Sequence, residues 1–175
     1  MTIGRTRREM MLGAPPPTLA GGDLVAVPDM EDTMASTHPE VSALLDRWSE
    51  AIRLKDIDRL MDLYAPDIVY FDVVPPLHYT GLAAVRKNFL RWFDAWQSAI
   101  GVEIRDLTIL TSGDVAVASM LHRTSGTLKN GREVGYWLRA TVCCQQSHHG
   151  WVIAHEHISL PVDVASGRAA IDLVP

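Results

Sequence analysis

The second half of the chain reads as a series of long β-strands joined by short turns. From about residue 102 onward, β-rich segments are interrupted by three turn signals: Ser112-Gly113-Asp114, Asn130-Gly131 and Ser147-His148-His149-Gly150. Asn-Gly favours a tight hairpin because both residues accept positive φ angles. Strands joined by such short connections pair antiparallel with their neighbours. We therefore expect an antiparallel meander to form most of the sheet.

Three amphipathic helices are predicted in the first half of the chain. The run Thr37-His38-Pro39-Glu40 has the form of a capping box, in which Glu40 reaches back to a free backbone amide. Asp56 caps a short second helix that Pro66 ends, and the third helix follows Thr80-Gly81. The apolar residues of each helix recur at helical spacing: Val41, Leu44, Leu45, Trp48 and Ile52, then Ile57, Leu60, Met61 and Tyr64, then Leu82, Val85, Phe89, Trp92 and Trp96.

One early strand lies between the second and third helices. Residues 67–73 alternate between two faces, which places Ile68, Tyr70 and Asp72 on the same side. Three helices with one early strand, followed by a meander, predict an α+β fold with the helices packed on one face of a curved sheet. Such an arrangement encloses an apolar pocket, which is a common site for small molecules.

The composition narrows the classes of partner. The chain has 175 residues, of which 47% are hydrophobic and 21% charged, and this suits one globular domain with a tail. The net charge of −5, without a basic patch, argues against a nucleic-acid partner. No apolar run approaches the roughly 20 residues that span a bilayer. The adjacent Cys143 and Cys144 point to opposite faces of a strand, so we expect no disulfide between them.

The two ends of the chain differ from its centre. Residues 1–36 are rich in proline and glycine and lack periodicity, so we interpret them as an arm outside a domain of residues 37–163, with 164–175 as a C-terminal tail. In the arm, Arg7-Arg8 before a short apolar stretch resembles the start of a twin-arginine export signal, although Pro15-Pro16-Pro17 interrupts that stretch. We expect a cytoplasmic protein, with export by the twin-arginine route as the alternative.

The last long predicted strand, within residues 151–161, carries two histidines. With uninterrupted alternation, His155, His157 and Ser159 share one face and Glu156 lies on the other. Two neighbouring imidazoles on such a strand are either ligand contacts or hydrogen-bonded wall residues of a pocket. A neutral imidazole both donates and accepts hydrogen bonds. We expect at least one histidine to contact the ligand, and Glu156 to belong to a sheet surface or a dimer contact.

Two stretches of the chain resemble a known family. Trp48 to Val73, followed by Thr80-Gly-Leu-Ala-Ala-Val-Arg86, is similar to the N-terminal half of ketosteroid isomerases. Gly150 to Pro161, with its Gly-Trp pair and His-x-His-x-Ser pattern, resembles the closing strand of SnoaL-like proteins of the nuclear-transport-factor-like superfamily. The resemblance covers about residues 39–163. It implies a cone-shaped, curved antiparallel sheet against three N-terminal helices, no cofactor, a small hydrophobic ligand and a homodimer formed through the open sheet face.

The resemblance also assigns roles to single residues. Asp72 falls on the isomerase's general-base aspartate, and Trp48 falls on the tyrosine that donates to the developing oxyanion. His155 and His157 fall on positions that line the pocket. The isomerase's second oxyanion donor, a protonated aspartate, falls near Arg139, where this chain has no carboxylate. The resemblance thus implies that the base is kept and the oxyanion hole is not.

Other substrate-binding candidates are Tyr70, Trp92, Trp137 and Arg139. Trp137 and Arg139 belong to an aromatic-x-Arg-x-Thr pattern that SnoaL-like sequences often show. Arg139 either binds an anionic group of the substrate or pairs with Asp72, or else it forms a salt bridge on the outer face. A slip of one residue in the strand reverses these faces.

Two further alternatives concern Asp72. It acts as a base facing the pocket, or it caps the loop that follows its strand. A two-histidine, one-carboxylate metal site made of His155, His157 and Asp72 is conceivable. We expect no metal, because the superfamily that the chain resembles is mostly metal-free.

The leading functional hypothesis is a cofactor-independent enzyme that applies acid/base chemistry to a small hydrophobic carbonyl, polyketide-like or steroid-like substrate. Asp72 removes a proton from carbon, and a histidine, with Arg139 or Tyr70, stabilises the enolate or protonates a leaving hydroxyl. This scheme favours a dehydratase or cyclase over a strict isomerase. The alternative is a non-catalytic module for small-ligand binding or association. A third possibility is epoxide hydrolysis, but hydrolases of this fold use an Asp-Arg-Asp set and this chain lacks the second aspartate.

Overall fold

The computed structural model describes residues 38–175, and the predicted N-terminal arm lies outside this range. Within this range, three helices and six strands precede a small C-terminal hairpin. The helices are α1 (Pro39–Leu54), α2 (Ile57–Met61) and α3 (Leu82–Asp94). The strands are β1 (Tyr64–Phe71), β2 (Tyr79–Thr80), β3 (Gly101–Ser112), β4 (Val115–Thr127), β5 (Glu133–Ser147) and β6 (Gly150–Ser159), and the hairpin is β7 (Val162–Asp163) with β8 (Arg168–Ala169).

The six-stranded sheet has the order β2-β1-β6-β5-β4-β3 and confirms the predicted α+β fold. Strands β3 to β6 form the expected antiparallel meander. The sheet is not wholly antiparallel, because β1 runs parallel to β6. A parallel pair needs a long crossover, and here α3 and the whole meander separate the two strands in sequence.

The hairpin at Asn130-Gly131 is present, but its turn is wider than predicted. Only Gly131 has a positive φ, of 80°, and residues 128–132 connect the strands. The backbone N–H of Leu128 donates to the carbonyl of Arg132 (2.9 Å), and that of Gly131 donates to the carbonyl of Leu128 (2.8 Å). The loop therefore closes through its own backbone hydrogen bonds.

The start of β1 differs from the prediction. Tyr64 was expected on the second helix with Pro66 ending it, but α2 ends at Met61 and both residues lie in β1. Tyr64 pairs with Ile153 of β6, and the backbone N–H of Ile153 donates to the carbonyl of Leu63 (2.8 Å). Pairing with β6 thus overrides the helical spacing of the side chains.

The first helix also begins differently from the predicted capping box. Its N-cap is His38, which makes no side-chain cap hydrogen bond, and Thr37 lies outside the described residues. The carboxylate of Glu40 accepts a hydrogen bond from the indole N–H of Trp151 (3.0 Å). This bond ties the first turn of α1 to β6.

The helices cover one face of the sheet, which we call the inner face. Alternate residues of β4 and β5, such as Ala116, Ala118, Leu138 and Ala140, are buried on it. The helices contribute fully buried side chains such as Leu44, which is 0% exposed. Burying one leucine side chain contributes about 2 kcal/mol to folding. The opposite, outer face carries the intervening residues.

The C-terminal residues are more ordered than the predicted tail. Val162 pairs with Ala169 and Asp163 with Arg168, which forms the β7–β8 hairpin. The carboxylate of Asp163 accepts from the backbone N–H of Ser166 (2.9 Å), as is usual for an aspartate at a turn. Among the helices within residues 38–175, none combines the length and apolar character that crossing a membrane requires.

Candidate functional site

A cavity of about 560 Å³ lies between the inner face of the sheet and helices α1 and α3. Its volume falls within the range of small-molecule sites. Most of its wall is aromatic or aliphatic, and a few polar side chains interrupt it. The lining residues include Trp48, Ile52, Tyr70, Asp72, Val73, Asn88, Phe89, Arg91, Trp92, His122, Thr124, Tyr136, Leu138 and Ile158.

Asp72 lines the cavity at its more exposed end, directly after β1. The backbone N–H of Val73 donates to its Oδ1 (2.6 Å), and the amide Nδ2 of Asn88 donates to its Oδ2 (2.6 Å). The predicted alternation of β1 therefore placed this carboxylate correctly. The base and cap interpretations are not exclusive, since Asp72 caps the following residue and also lines the cavity.

Asn88 and Arg91 extend this polar group along α3. Asn88 is only 5% exposed, and its Oδ1 accepts from Nη2 of Arg91 (2.7 Å). The same Nη2 lies 3.2 Å from the hydroxyl of Tyr79. Because a guanidinium only donates, it fixes the amide of Asn88 with Nδ2 towards Asp72. We call Asp72, Asn88 and Arg91 the exposed polar set.

A second polar group begins at the cavity wall and continues into the core. The indole N–H of Trp48 donates to the hydroxyl of Tyr64 (2.9 Å), and that hydroxyl donates to Oε2 of Glu156 (2.5 Å). Burial raises the pKa of Glu156, which is 1% exposed, to about 7. Burial, followed by the charge of Glu156, raises the pKa of Tyr64 well above its usual value. Thus Trp48 lines the cavity as predicted, but its N–H donates into the core.

His122, on β4, lines the cavity beside Trp48. It is 3% exposed, and its ring packs edge-on against Trp48 with the centroids 5.3 Å apart. Its Nε2 lies 3.0 Å from Oγ1 of Thr124, while Nδ1 has no hydrogen-bond partner within residues 38–175. Burial lowers the pKa of His122 to about 4, so the imidazole is neutral at physiological pH. We call Trp48, Tyr64, Glu156 and His122 the buried polar set.

Two tyrosines and Trp92 complete the wall. Tyr70 is buried, and burial, with the charge of Glu156, raises its pKa well above the usual value. Burial and the charge of Asp72 also raise the pKa of Tyr136. Both phenols are thus neutral. Tyr70 and Trp92 were predicted to contact the substrate, and both line the cavity.

The histidines of β6 do not lie on the cavity wall, contrary to expectation. His155 and His157 are on the outer face, where their ring centroids lie 4.9 Å and 5.7 Å from that of Phe71. The cause is an irregularity at Ala154. Cys144 pairs with Ile153 and Cys143 pairs with His155, so β6 has one residue more than β5 at this point.

This β-bulge reverses the two faces of the strand after Ala154. Glu156 and Ile158 therefore point inwards, and the prediction that Glu156 belongs to a sheet surface or dimer contact is wrong. Because of this one unpaired residue, β6 presents the carboxylate of Glu156 on the inner face and the two imidazoles on the outer face.

Trp137 and Arg139 also lie away from the cavity, on the outer face of β5. Arg139 is exposed and pairs across the sheet with Ser159, while the guanidinium of Arg105 lies 5.2 Å from the ring centroid of Trp137. Neither residue lines the cavity, contrary to the expectation. Within residues 38–175, no three His, Cys, Asp or Glu side chains lie close enough to hold one metal ion.

The match to known families agrees with this architecture. A model of the SnoaL-like domain matches residues 41–163 of the chain. The chain belongs to the SnoaL-like family. No curated protein sequence matches it.

Solved structures of similar fold include three of differing description. An NTF2-like protein of unknown function from Pseudomonas putida KT2440 is 31% identical, with a TM-score of 0.72, and the match covers 78% of this chain and 95% of that one. A candidate calcium/calmodulin-dependent protein kinase II association domain from Xanthomonas campestris is 26% identical, with a TM-score of 0.64 and coverage of 71% and 88%. A candidate dehydratase of the NTF2-like family from Streptomyces avermitilis is 18% identical, with a TM-score of 0.63 and coverage of 69% and 93%.

Several polar residues of this SnoaL-like cavity were not predicted. His122 and Thr124 follow Ala116, Ala118 and Met120 at a spacing of two, so all five share one face of β4. The alternation alone does not say which face of β4 points inwards. The intervening Val115, Val117 and Leu121 are also apolar, and the sequence therefore left the phase of β4 undecided. On α3, Asn88 and Arg91 stand three residues apart beside the apolar stripe, which is a weak signal.

Proposed function

We propose that this SnoaL-like protein is a cofactor-independent enzyme that moves a proton on a small hydrophobic carbonyl substrate. Asp72 is the general base, and His122 is a neutral hydrogen-bond donor to the substrate oxygen. The observation that supports this proposal is the cavity itself, which is largely apolar and lined by the carboxylate that follows β1 and by a neutral imidazole of β4. A largely apolar pocket with a few convergent polar groups is typical of a small-molecule site.

Asp72 has the features that proton abstraction requires. Both of its oxygens accept one hydrogen bond from neighbouring groups, which hold the carboxylate in a fixed orientation. A carboxylate oxygen has two lone pairs, so each oxygen keeps one for a proton taken from carbon. A positioned base of this kind accelerates proton transfer by about 10²- to 10⁴-fold.

His122 stabilises the enolate rather than supplying a proton. An imidazole whose pKa is about 4 carries no second proton to give at neutral pH. When Thr124 donates to Nε2, Nδ1 carries the single proton; it is buried without a hydrogen-bond partner within residues 38–175, and in this proposal the ring turns that N–H towards the developing oxyanion when the substrate binds. Trp48 does not serve this purpose, because its N–H donates to Tyr64.

The proton therefore returns from Asp72 itself. Asp72 takes a proton from the carbon next to the carbonyl, and the electron pair moves to the oxygen. The protonated Asp72 then gives the proton to another carbon in an isomerisation, to the alkoxide formed when the enolate carbon attacks a second carbonyl in a cyclisation, or to a departing hydroxyl. Isomerisation and cyclisation need only this one carrier. A dehydration would require the same carboxyl group to protonate the leaving hydroxyl.

An assay without the natural substrate tests the assignment of the base. We expect the protein to exchange the protons next to the carbonyl of ketones such as 2-tetralone for deuterium in D₂O, which proton NMR follows. Asp72→Asn should slow this exchange by about 10²-fold or more. Asp67→Asn, which changes an exposed aspartate of the same strand, is the matched control. Near-full exchange in Asp72→Asn would sink the base assignment.

A second candidate function is a non-catalytic association module. It is favoured by the half-exposed apolar residues of the outer sheet face, Phe71 (38% exposed) and Leu110 (54% exposed), and by the likeness to the Xanthomonas campestris association domain. In this function the protein forms a homodimer in which a second copy covers the outer sheet face. Light scattering coupled to size-exclusion chromatography tests it: a monomer at all concentrations contradicts the dimer. Deuterium exchange that depends on Asp72 contradicts the non-catalytic function.

A further inference from the structure

The residues that line the cavity include two charged side chains, Asp72 and Arg91. His122 is uncharged, and the other lining residues are apolar, hydroxyl-bearing or amide-bearing. The two charges have distinct positions, because Arg91 is on α3 and Asp72 follows β1. They do not pair directly, since the amide of Asn88 bridges them.

Arg91 has only neutral partners in the part of the chain that the structure describes. Its two hydrogen bonds go to the Asn88 amide oxygen and the Tyr79 hydroxyl, and no carboxylate of residues 38–175 lies within 4.0 Å of its guanidinium. By contrast, Arg53 pairs with Glu50 (2.6 Å) and Arg86 with Asp58 (2.8 Å).

Both hydrogen bonds of Arg91 use Nη2. A guanidinium has five N–H donors, so the bonds to Asn88 and Tyr79 orient the group while Nε and Nη1 make no hydrogen bond within the described residues. A planar donor group held in this way matches the two oxygens of a carboxylate.

We propose that Arg91 binds a carboxylate of the ligand, and that the ligand is an amphipathic carboxylic acid whose apolar body lies among the aromatic side chains of the cavity. This inference rests on the proposed function in that it names the substrate class for the same cavity. The acid group lies at the exposed end, where it stays near solvent. The rest of the molecule reaches towards Trp48 and His122.

The charge of the ligand follows from the two side chains together. One guanidinium balances one negative charge, and the carboxylate of Asp72 repels further negative charge nearby. A phosphate monoester carries nearly two negative charges at neutral pH and is therefore disfavoured. A monoanion fits because Arg91 offers one positive charge and its Nε and Nη1 are the donors that Asn88 and Tyr79 leave unused.

Two probes of the same shape test the charge preference. We expect 2-naphthoate to bind to the wild-type protein about tenfold more tightly than its neutral amide, 2-naphthamide, with isothermal titration calorimetry as the measurement. Arg91→Gln should weaken naphthoate binding by about tenfold and leave naphthamide binding unchanged. Arg91→Lys keeps the charge and should retain most of the preference. Arg139→Gln, which removes an exposed charge from the outer face, is the matched control.

The same probes distinguish this inference from the proposed function. Asp72→Asn removes the neighbouring negative charge, so it should strengthen naphthoate binding a few-fold while it slows deuterium exchange of ketones. If exchange does not depend on Asp72 but naphthoate binding depends on Arg91, the enzyme assignment fails and the carboxylate site stands. The site itself is overturned if the wild-type protein shows no preference for naphthoate, or if Arg91→Gln weakens both probes equally.

Discussion

The two ends of the cavity keep their polar groups in opposite ways. The exposed polar set holds a full negative and a full positive charge, each hydrogen-bonded and near solvent. The buried polar set contains a carboxyl whose pKa rises to about 7 and an imidazole whose pKa falls to about 4, and burial is the first cause of both changes. Burial thus favours neutral groups in one set, while the side chains of the other set are hydrogen-bonded beside solvent.

This difference has a chemical consequence. Proton transfer requires a group with a free lone pair that can accept a proton, and each oxygen of Asp72 accepts only one hydrogen bond within the described residues. Hydrogen bonding to a developing oxyanion works best from fixed neutral donors in a dry environment, and the buried end offers those. The division of labour in the proposed mechanism follows from the depth of each group.

The largest expected effect comes from breaking the buried set at its centre. Tyr64→Phe keeps the ring but leaves the Trp48 N–H and the Glu156 carboxyl without their shared partner. We expect the free energy of unfolding in urea to fall by about 3 kcal/mol, because unsatisfied buried polar groups are costly. Tyr79→Phe, at the exposed end, should cost less than about 1 kcal/mol. Equal losses in the two variants would contradict the distinction between the ends.

Glu156 should give stability a dependence on pH. Its pKa rises from an ordinary 4.5 in the unfolded chain to about 7 in the fold, so folding favours the protonated form. That stabilisation is fully present below the unfolded pKa and is lost as pH rises through 7, by about 3 kcal/mol in total. Glu156→Gln should remove this loss in urea unfolding curves measured across the range. A variant that keeps the wild-type slope would show that Glu156 is not its source.

His122 should produce the opposite slope. Its pKa falls from 6.5 to about 4 on folding, so the fold favours the neutral ring. Its contribution is present above the unfolded pKa and is lost as pH falls through 4, again by about 3 kcal/mol. The two slopes partly cancel in the wild-type protein between these values. His122→Phe should therefore become more stable on mild acidification and Glu156→Gln less stable, and parallel curves for the two variants would contradict both assignments.

A smaller effect is expected at the exposed end. Asn88→Leu has a similar volume but removes one of the two donors that orient Asp72. Deuterium exchange of 2-tetralone should slow by about tenfold, whereas stability changes by only about 1 kcal/mol, because the two groups that lose a partner, Asp72 and Arg91, are partly or fully exposed and can bind water instead. Asn130→Leu, in the distant hairpin loop, serves as the control. Unchanged exchange in Asn88→Leu would mean that Asp72 is oriented by the backbone of Val73 alone.

The smallest effect is expected on the outer face of β6. His155→Gln combined with His157→Gln should leave ketone exchange and naphthoate binding within about twofold of the wild type, since neither ring lines the cavity. A tenfold loss of exchange in this double variant would return these histidines to the active site. If a second copy covers this face, the same variant changes the dimer rather than the exchange.

Local signals explain which features the sequence could predict. The hairpins at residues 112–115, 127–133 and 147–150 depend on short Gly- and Asn-containing turns, and all three are present. Asp72 was placed correctly because β1 alternates without interruption from Ile68 onwards. Each of these inferences needs only neighbouring residues.

The errors arise where distant contacts decide the structure. Glu40 accepts a hydrogen bond from the indole of Trp151, more than 100 residues away, and Tyr64 pairs with Ile153 instead of extending the helix. The faces of β6 depend on the bulge at Ala154, and the sequence has no glycine or proline there that would indicate a bulge. For His122, the choice between two apolar faces of β4 is made by the helices that pack against one of them.

Ala154 also bears on how a cavity of this kind can change its chemistry over generations. If β6 paired regularly through Ala154, its register against β5 would shift by one residue from that point on. His155 and His157 would then face inwards, and Glu156 would face outwards. A descendant could therefore acquire an imidazole-lined wall by losing the bulge without losing a residue, with every side chain of the strand already in place.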